Sequence, residues 1–369
     1  MLKNYQICSR CVMDTSDPDI FFDEDILCNN CTNCIEESKI IRPQGEERSK
    51  KIEEIVKKIK KSSKNNKYDC LIGMSGGVDS SYLAYLVVEL GLTPLALHMD
   101  NGWNSKDAVK NILSVCSNLN IDYASYVLDW NEFKDIQLSY LKSSIVEVEM
   151  PTDQAIAGAL HQTAAKHNIK FIIGGGNYAS EGILPKRWFY DPKDAKLLRS
   201  IQKKFGIKKI KNFPYFDYKR EIYYKFYKNI KMIYLLNLFD YDKEQAKKLL
   251  QEKLGYIDYG GKHHESVYTR FMQSYIQPVK FNLDYRRATY SSLICAGLMS
   301  RQEALECLKK EPYEADQVEK DIAYVSKKFG ISEDNFKSII NKPAKSYKDY
   351  PNNELFLTAI YKIYRAFFK

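Results

Sequence analysis

The chain has 369 residues, of which 44% are hydrophobic and 13% aromatic, and this composition excludes an intrinsically disordered protein. Its length is sufficient for two domains, and 56 Lys and Arg against 47 Asp and Glu give a formal net charge of +9. The first residues lack the pattern of a signal peptide and no apolar stretch is long enough to span a membrane, so we expect a soluble, cytoplasmic protein.

Two pairs of cysteines mark the N-terminal segment, residues 1–45. They form two CxxC pairs separated by sixteen residues, a spacing typical of a four-thiolate zinc knuckle. The predicted zinc ligands are Cys8, Cys11, Cys28 and Cys31. Cys34 is an alternative fourth ligand, because Cys31 and Cys34 also form a CxxC pair. A closed four-thiolate site is structural, so we expect the ion to stabilise the fold and to take no part in catalysis.

A Lys-rich helical connector is predicted over 46–67, and strands then alternate with helices. Strands are predicted at 69–74, 94–99, 123–129 and 170–174, and helices at 79–90, 105–119, 131–143 and 153–167. This alternation predicts an α/β fold with a doubly wound parallel sheet over 68–190. In such sheets ligands bind beyond the carboxyl ends of the strands.

The string SGGVDSS at 75–81 follows the first predicted strand and begins a helix. A helix start offers unpaired N–H groups and a partial positive charge to an anion, and glycines let the backbone approach it closely. The string resembles the pyrophosphate loop of the ATP pyrophosphatases, which implies an adenine nucleotide α-hydrolase-like (PP-loop) fold, with Asp79 holding magnesium and acting in catalysis. The loop residues predicted to bind ATP are Ser75, Gly76, Gly77, Asp79, Ser80 and Ser81. A tight packing turn without a ligand is the alternative.

Two further strings end predicted strands. Met99 and Asp100 end the second strand, where adenine and ribose lie in the ATP pyrophosphatases, and a turn or helix cap is an equal alternative for Asp100. GGGNYASEG at 174–182 predicts a second phosphate or substrate loop, with Gly174 and Asn177 binding ATP. Its carboxylate, Glu181, is predicted to be catalytic, as a second magnesium ligand or a general base. A plain glycine turn is the alternative.

A mostly helical region that binds substrate or a partner is predicted over 191–369. Its last helices are predicted at 301–311, 314–328, 332–341 and 353–367. Two polar strings, GGKHHES and DYRRA, are predicted to bind substrate, because arginine forks suit diphosphates and carboxylates. Their candidate residues are Lys262, His263, His264, Arg286 and Arg287. Paired histidines are more often structural than catalytic, so specific roles for these two stay open.

A basic segment at 193–231 carries the charge excess, with thirteen Lys or Arg against three acidic residues, a local charge of +10. Tyrosines are interleaved with the cations. Such a segment suits nucleic acid, the diphosphate of a nucleotide sugar or an acidic partner protein. Solvated helix faces are an equal alternative.

Seven strings in order resemble one family, the N-acetyl sugar amidotransferases, which are related to enzymes of lipopolysaccharide and flagellar glycan synthesis. They are CSRCVMDTSDPDI, SGGVDSS, HMDNGWN, EMPTDQAI, GGGNYASEGILP, YGGKHHESVYTRF and the stretch from DYRRA to SRQEAL. The resemblance implies conversion of an acetamido group on a nucleotide-activated sugar to an acetamidino group, using ATP and Mg²⁺. The amide oxygen is first adenylylated, and ammonia then displaces AMP. Gly175 stands where the family often has Thr, which leaves ATP chemistry plausible. The usual DKR and His-Leu-Ser run appears as Asp284, Tyr285 and Arg286 and then Thr289, Tyr290 and Ser291, which leaves the sugar open.

Ammonia is protonated in neutral water and has to be delivered locally. Leu2 stands where an N-terminal-nucleophile glutaminase has Cys, and no GxCxG elbow occurs. We therefore expect a separate glutaminase, of the type found with imidazole glycerol phosphate synthase, docked on the basic segment.

The main alternative is a PP-loop tRNA-modifying sulfurtransferase, which also combines a pyrophosphate loop with CxxC pairs and a basic surface. It needs a reactive thiol pair near the ATP site, and Cys70 and Cys116 are not so spaced, so nucleic-acid binding is not expected. A zinc-knuckle scaffold with an inactive nucleotide fold is a third alternative, against which Asp79 and Glu181 argue.

Overall fold

The computed structural model describes residues 5–259 and 265–368, with side chains to residue 362. Within these ranges five strands form one parallel sheet in the order β3-β2-β1-β4-β5. The strands are β1 (Cys70–Gly73), β2 (Pro94–Asp100), β3 (Asp122–Val127), β4 (Phe171–Gly174) and β5 (Lys231–Tyr234). β2 and β3 lie on one side of β1, and β4 and β5 lie on its other side. The carboxyl ends of β1 and β4 therefore lie side by side where the strand order reverses.

Helices follow or connect these strands throughout the described chain. They are α1 (Asn29–Ile41), α2 (Gly45–Ser62), α3 (Val78–Glu89), α4 (Lys106–Asn118), α5 (Trp130–Ser143), α6 (Met150–Lys166), α7 (Tyr178–Glu181), α8 (Ala195–Phe205), α9 (Tyr218–Ile222), α10 (Lys243–Leu254), α11 (Val267–Phe271), α12 (Gln277–Phe281), α13 (Tyr285–Cys295), α14 (Arg301–Leu308), α15 (Ala315–Phe329), α16 (Glu333–Ile340) and α17 (Glu354–Phe368). Within the described residues, we find no helix with the length and apolarity that crossing a lipid bilayer requires.

Both faces of the sheet are covered, as the residues of β1 show. Cys70 and Ile72 are fully buried in one core, which also contains Leu250 of α10. Leu71 is buried in the opposite core with Leu160 of α6. Side chains of an extended strand alternate between faces, so a strand with two covered faces reads as a continuous apolar run. The predicted doubly wound parallel sheet is confirmed.

The four predicted strands and the helices between them are confirmed, with ends shifted by a few residues. The fifth strand, β5, was not predicted and lies within a region for which the sequence indicates mostly helix. Met232 is 37% exposed and Tyr234 50% exposed, so the strand lacks the apolar alternation that would reveal it. Its parallel pairing with β4 decides its conformation.

The cysteine-rich N-terminal segment packs against the C-terminal helices. Arg301, at the start of α14, donates from Nη2 to the carbonyl oxygen of Cys8 at 2.9 Å and from Nε to that of Cys11 at 3.1 Å. Ser291 of α13 accepts a hydrogen bond from the backbone N–H of Val12 at 3.1 Å. Residues far apart in the chain thus hold the first cysteine pair in place.

Gly158 gives a test of how closely α6 approaches the segment that contains Pro214. A Cβ at this position would lie 1.9 Å from the carbonyl oxygen of Pro214. We expect Gly158→Ala to lower the free energy of unfolding by about 1–3 kcal/mol, although alanine is favoured in helices by about 1 kcal/mol. Urea unfolding measures the change.

Gly73→Ala is the matched control, since a Cβ there meets only Leu160, at 3.5 Å, which is an ordinary contact. It should leave the free energy of unfolding nearly unchanged. A Gly158→Ala variant as stable as the wild type would contradict the close approach of α6 to Pro214.

Candidate active site

A cavity of about 670 Å³ opens at the carboxyl edge of the sheet, beyond the ends of β1, β2 and β4. Six of the predicted nucleotide and catalytic residues line it, namely Ser75, Asp79, Ser80, Met99, Gly174 and Glu181. The other predicted ATP residues, Gly76, Gly77, Ser81, Asp100 and Asn177, are not part of the lining. The loops that follow β1 and β4 therefore face the same space.

The loop after β1 is shaped by close backbone contacts. Gly76 has φ +84°, and a Cβ there would lie 2.3 Å from the carbonyl oxygen of Ala108, so no other residue fits without rearrangement. The Oγ of Ser75 accepts from the N–H of Gly77 at 3.2 Å, and the Oγ of Ser80 accepts from the N–H of Ser75 at 3.2 Å. Helix α3 begins without a side-chain cap at Gly77. Its N-terminal N–H groups are thus open to an anion.

Three residues from other segments brace this loop. The hydroxyl of Tyr241 donates to Oδ1 of Asp79, and burial together with the charge of Asp79 raises the pKa of Tyr241, which keeps it a donor. The hydroxyl of Tyr259 donates to the carbonyl oxygen of Gly76 at 3.0 Å, and Nδ2 of Asn111 donates to the same oxygen at 3.3 Å. None of the three was predicted as a site residue: no motif marks Tyr241 or Asn111, and Tyr259 begins the string YGGKHHESVYTRF, in which only the charged residues suggested a role.

The loop after β4 approaches the start of α3. A Cβ at Gly175 would lie 3.3 Å from the backbone nitrogen of Ser80, which leaves little room for the Thr of the family pattern. Asn177 caps α7, since its Oδ1 accepts from the N–H of Ser180 at 3.0 Å. Its Nδ2 is buried with no hydrogen-bond partner. Glu181 lies at the end of the same short helix and lines the cavity.

Asp100 and Ser81 take positions beside the cavity. Oδ1 of Asp100 accepts from the N–H of Gly102 at 2.8 Å and from Nδ2 of Asn104 at 3.3 Å. Asp100 therefore caps a turn, as its alternative interpretation predicts. Ser81 is fully buried and its hydroxyl has no partner. Their contacts with a nucleotide stay predictions.

A second cavity of about 560 Å³ adjoins the first. The two share Glu181, Leu184, Gln273 and Tyr285 as lining residues. The second cavity also contains two arginines, Arg270 and Arg286. Nη2 of Arg270 contacts Asp321 at 2.5 Å, while its Nε is buried without a partner. Two arginines in a cleft are suited to an anionic group.

The two arginines predicted to bind substrate lie in different places. Arg286 lines the second cavity and pairs with Asp284 at 2.7 Å. Arg287 instead contacts Asp14 at 3.0 Å and the carbonyl oxygen of Val12 at 3.0 Å, so it joins α13 to the N-terminal segment and does not line either cavity. Three further candidates, Lys262, His263 and His264, lie outside the described residues.

The four predicted zinc ligands form one buried cluster. Their sulfur atoms all lie within 4.8 Å of one another, and among the described residues this is the one group of three or more candidate ligands within reach of a single ion. Backbone N–H groups point at these sulfurs, as from Cys28 to Sγ of Cys8 at 3.3 Å. Such bonds stabilise thiolates, so the donor set fits a tetrahedral zinc ion. Cys34 is buried nearby but is not part of the cluster.

Two family models match the chain. Residues 49–179 match NAD synthase, and residues 265–365 match the LPS biosynthesis protein WbpG-like C-terminal domain. The fold and the first match define a PP-loop domain of the NAD synthase type. The chain joins this domain to a WbpG-like C-terminal domain, which confirms the resemblance to the PP-loop amidotransferases of lipopolysaccharide biosynthesis.

Individual relatives are similar over parts of the chain. An uncharacterized protein of Methanocaldococcus jannaschii is 30% identical over 131 residues, 35% of this chain and 45% of that protein. The tRNA(Ile)-lysidine synthase of Chlamydia pneumoniae is 36% identical over 70 residues, 18% of this chain and 22% of that protein. The chain thus spans less than half the length of these curated relatives.

Two solved structures are also similar. The NH3-dependent NAD synthetase of Campylobacter jejuni, in complex with nitrate, is 20% identical, with 57% of this chain and 89% of that chain covered and a TM-score of 0.29. The NMN synthetase of Francisella tularensis is 16% identical, with 60% and 90% covered and a TM-score of 0.30.

The cysteine cluster makes a prediction about metal content. We expect the purified protein to hold one zinc ion, and Cys11→Ser to release it and to lower the free energy of unfolding by at least about 3 kcal/mol, since structural zinc contributes about 10 kcal/mol in small zinc modules. Elemental analysis and urea unfolding measure both effects.

Cys34→Ser is the control, because Cys34 lies outside the cluster. It should keep the zinc ion. Loss of zinc in Cys34→Ser with retention in Cys31→Ser would instead identify Cys34 as the fourth ligand.

Proposed function

We propose that the protein is an ATP-dependent amidotransferase that converts the acetamido group of a nucleotide-activated sugar to an acetamidino group. The observation that carries this proposal is the meeting of two cavities at Glu181. One contains the pyrophosphate loop and the other contains Arg270 and Arg286. The match to NAD synthase supports ATP-dependent formation of a carbon–nitrogen bond, and the match to the WbpG-like domain supports a sugar substrate.

An amide oxygen is a poor leaving group, so the reaction needs activation. In the proposed reaction this oxygen attacks the α-phosphorus of ATP, and pyrophosphate leaves. Ammonia then forms a bond to the imidate carbon, and AMP departs with the former amide oxygen. The start of α3, with Ser75 and Ser80, would hold the pyrophosphate. Asp79 and Glu181 would hold Mg²⁺, which neutralises the charge on the phosphates, since this ion takes one or two carboxylates beside phosphate oxygens.

The second cavity would hold the nucleotide sugar. Arg270 has an unpartnered Nε, and Arg286 lines the same cavity, where its guanidinium is held by Asp284 and by the carbonyl oxygen of Lys310 at 2.9 Å. A diphosphate would satisfy the free donor of Arg270 and would be attracted by the charge of Arg286. The acetamido group would then extend past Glu181 toward ATP in the first cavity.

The ammonia source in this proposal is a separate glutaminase bound to the basic segment, residues 193–231. Exposed aromatic side chains accompany the charges there, including Phe226 at 61% and Tyr227 at 75% exposure. An apolar patch with a basic surround suits a partner protein more than a solvated helix face.

The division of the chain into domains is also part of the proposal. Residues 1–45 would form the zinc knuckle, 46–67 the helical connector, 68–190 the PP-loop domain and 191–369 the region that binds substrate or a partner.

The thiols give little support to the sulfurtransferase alternative. Burial raises the pKa of Cys70, which is fully buried, and raises that of Cys116 to about 11. A sulfur carrier reacts as the thiolate, so these two cysteines are poor candidates.

The proposed function is tested with the full chain, ATP, ammonium and a panel of diacetamido sugars linked to UDP or CMP. We expect AMP, pyrophosphate and a sugar product in which one oxygen has been replaced by NH, detected by mass spectrometry. Steep, salt-dependent tRNA binding with no sugar conversion would support the sulfurtransferase instead.

Asp79→Asn tests the nucleotide site. We expect pyrophosphate release to fall by about 100-fold or more, because the carboxylate that would hold Mg²⁺ beside the phosphates is lost. The matched control is Asp107→Asn in the first turn of α4, where Asp107 pairs with Lys110 and is not in the cavity lining. Equal rates in Asp79→Asn and the wild type would remove Asp79 from the site.

A further inference from the structure

Two of the first cavity's carboxylates that the proposed chemistry does not use each have a buried oxygen without a hydrogen-bond partner. Glu147 and Glu149 precede α6, and both line the cavity that contains the pyrophosphate loop. Glu147 is 9% exposed, and its Oε2 is buried without a hydrogen-bond partner. Oε1 of Glu149 is also buried without a partner, while its Oε2 accepts from the hydroxyl of Thr269 at 2.9 Å.

Buried carboxylates elsewhere in the chain are saturated with donors. Glu132 accepts from the backbone N–H groups of residues 211, 212 and 213 at 2.6 to 3.2 Å. Asp135 accepts from two backbone N–H groups and from Gln202. These two side chains are structural. A buried carboxylate oxygen with no donor is costly, so Glu147 and Glu149 are explained better by a ligand with N–H groups.

The surroundings of Glu149 match a cationic ligand. Burial, with the charge of Asp153, raises the pKa of Glu149 to about 8, and burial raises that of Glu147 to about 7. The phenols of Tyr268 on α11 and Tyr285 on α13 also face Glu149, and burial raises the pKa of both, so they stay neutral. A carboxylate in this environment exchanges a proton near neutral pH.

A metal ion fits less well than an organic cation. Among the described residues, three or more candidate ligand atoms come together only at the four cysteines. The acids of this cavity are therefore not arranged as a closed metal site. A small nitrogen cation can be bound by the two oxygens of a single carboxylate group.

We infer that Glu149 is the catalytic group that receives ammonium, takes its proton, and then faces the cationic acetamidino product. This inference rests on the proposed function. Glu149 would act in the step in which ammonia displaces AMP, and the hydroxyl of Thr269, in the WbpG-like domain, orients its carboxylate.

The sugar amide loses its N–H proton to solvent when its oxygen is adenylylated, so the imidate is neutral and the protons of the next step balance. Ammonium gives one proton to the Glu149 carboxylate, and the lone pair of the freed ammonia forms a C–N bond to the O-adenylyl imidate carbon. One proton then moves from the new nitrogen to the sugar nitrogen, and the C–O bond to AMP breaks. Glu149 returns its proton to solvent and stands ionised against the amidinium.

Glu149→Gln tests the step, since it keeps the acceptor for Thr269 and removes the base. We expect sugar-dependent pyrophosphate release without ammonium to persist, while ammonium-dependent product formation falls by about 100-fold or more. Glu252→Gln, an exposed position on α10, is the matched control and should leave both rates unchanged. Ammonium-dependent turnover at the wild-type rate in Glu149→Gln would overturn the inference.

A binding measurement separates this inference from the proposed function. Acetamidinium is titrated into the full chain by calorimetry, with neutral acetamide as the control. We expect affinity for acetamidinium to rise roughly 10- to 100-fold between about pH 6 and about pH 9, as Glu149 ionises, and Glu149→Gln to abolish binding. Equal binding by wild type and variant, or none by either, would overturn the inference. Failure of every sugar to release pyrophosphate, with Glu149-dependent binding of acetamidinium intact, would overturn the proposed function and leave Glu149 as a cation-binding carboxylate.

Discussion

The parallel pairing of β1 with β4 is the constraint on which the candidate site depends. Ile72 pairs with Ile173, so two strands that are about a hundred residues apart in the chain end side by side. Each continues into a glycine loop, and Gly175 of the second loop lies against the first turn of α3. Parallel strands end at the same edge of a sheet. One cavity therefore collects the serines of one loop and Glu181 of the other.

Later parts of the chain complete this cavity. The hydroxyls of Tyr241 and Tyr259 donate hydrogen bonds to the pyrophosphate loop, and the hydroxyl of Thr269, in the WbpG-like domain, donates one to Glu149. Lys328 of α15 donates to the carbonyl oxygen of Gly102 at the end of β2, and its ammonium lies 4.6 Å from the ring centroid of Trp130. The two domains are thus joined through the residues around the site.

Much of the fold was predictable, since local patterns specify it. Apolar runs with covered faces identified four strands, and helical spacing identified the helices between them and the last four of the chain. β5 was missed because an exposed edge strand carries no alternation, and only its hydrogen bonds to β4 make it a strand. Among the site residues, Ser75, Asp79 and Glu181 were predicted from loops beside strand ends, and the structure brings them to one cavity.

The two CxxC pairs, the pyrophosphate loop and the alternation of four strands with helices could be predicted from the sequence, because each is a pattern of residues close together in the chain. Tertiary structure decided the rest. Arg286 and Arg287 are neighbours in the sequence, yet one lines the second cavity and the other pairs with Asp14, because successive residues of a helix face different directions. Burial, too, is invisible in a motif. The hydrogen-bond donors that the fold places around a carboxylate distinguish Glu132, which is saturated, from Glu149, which has one buried oxygen without a partner.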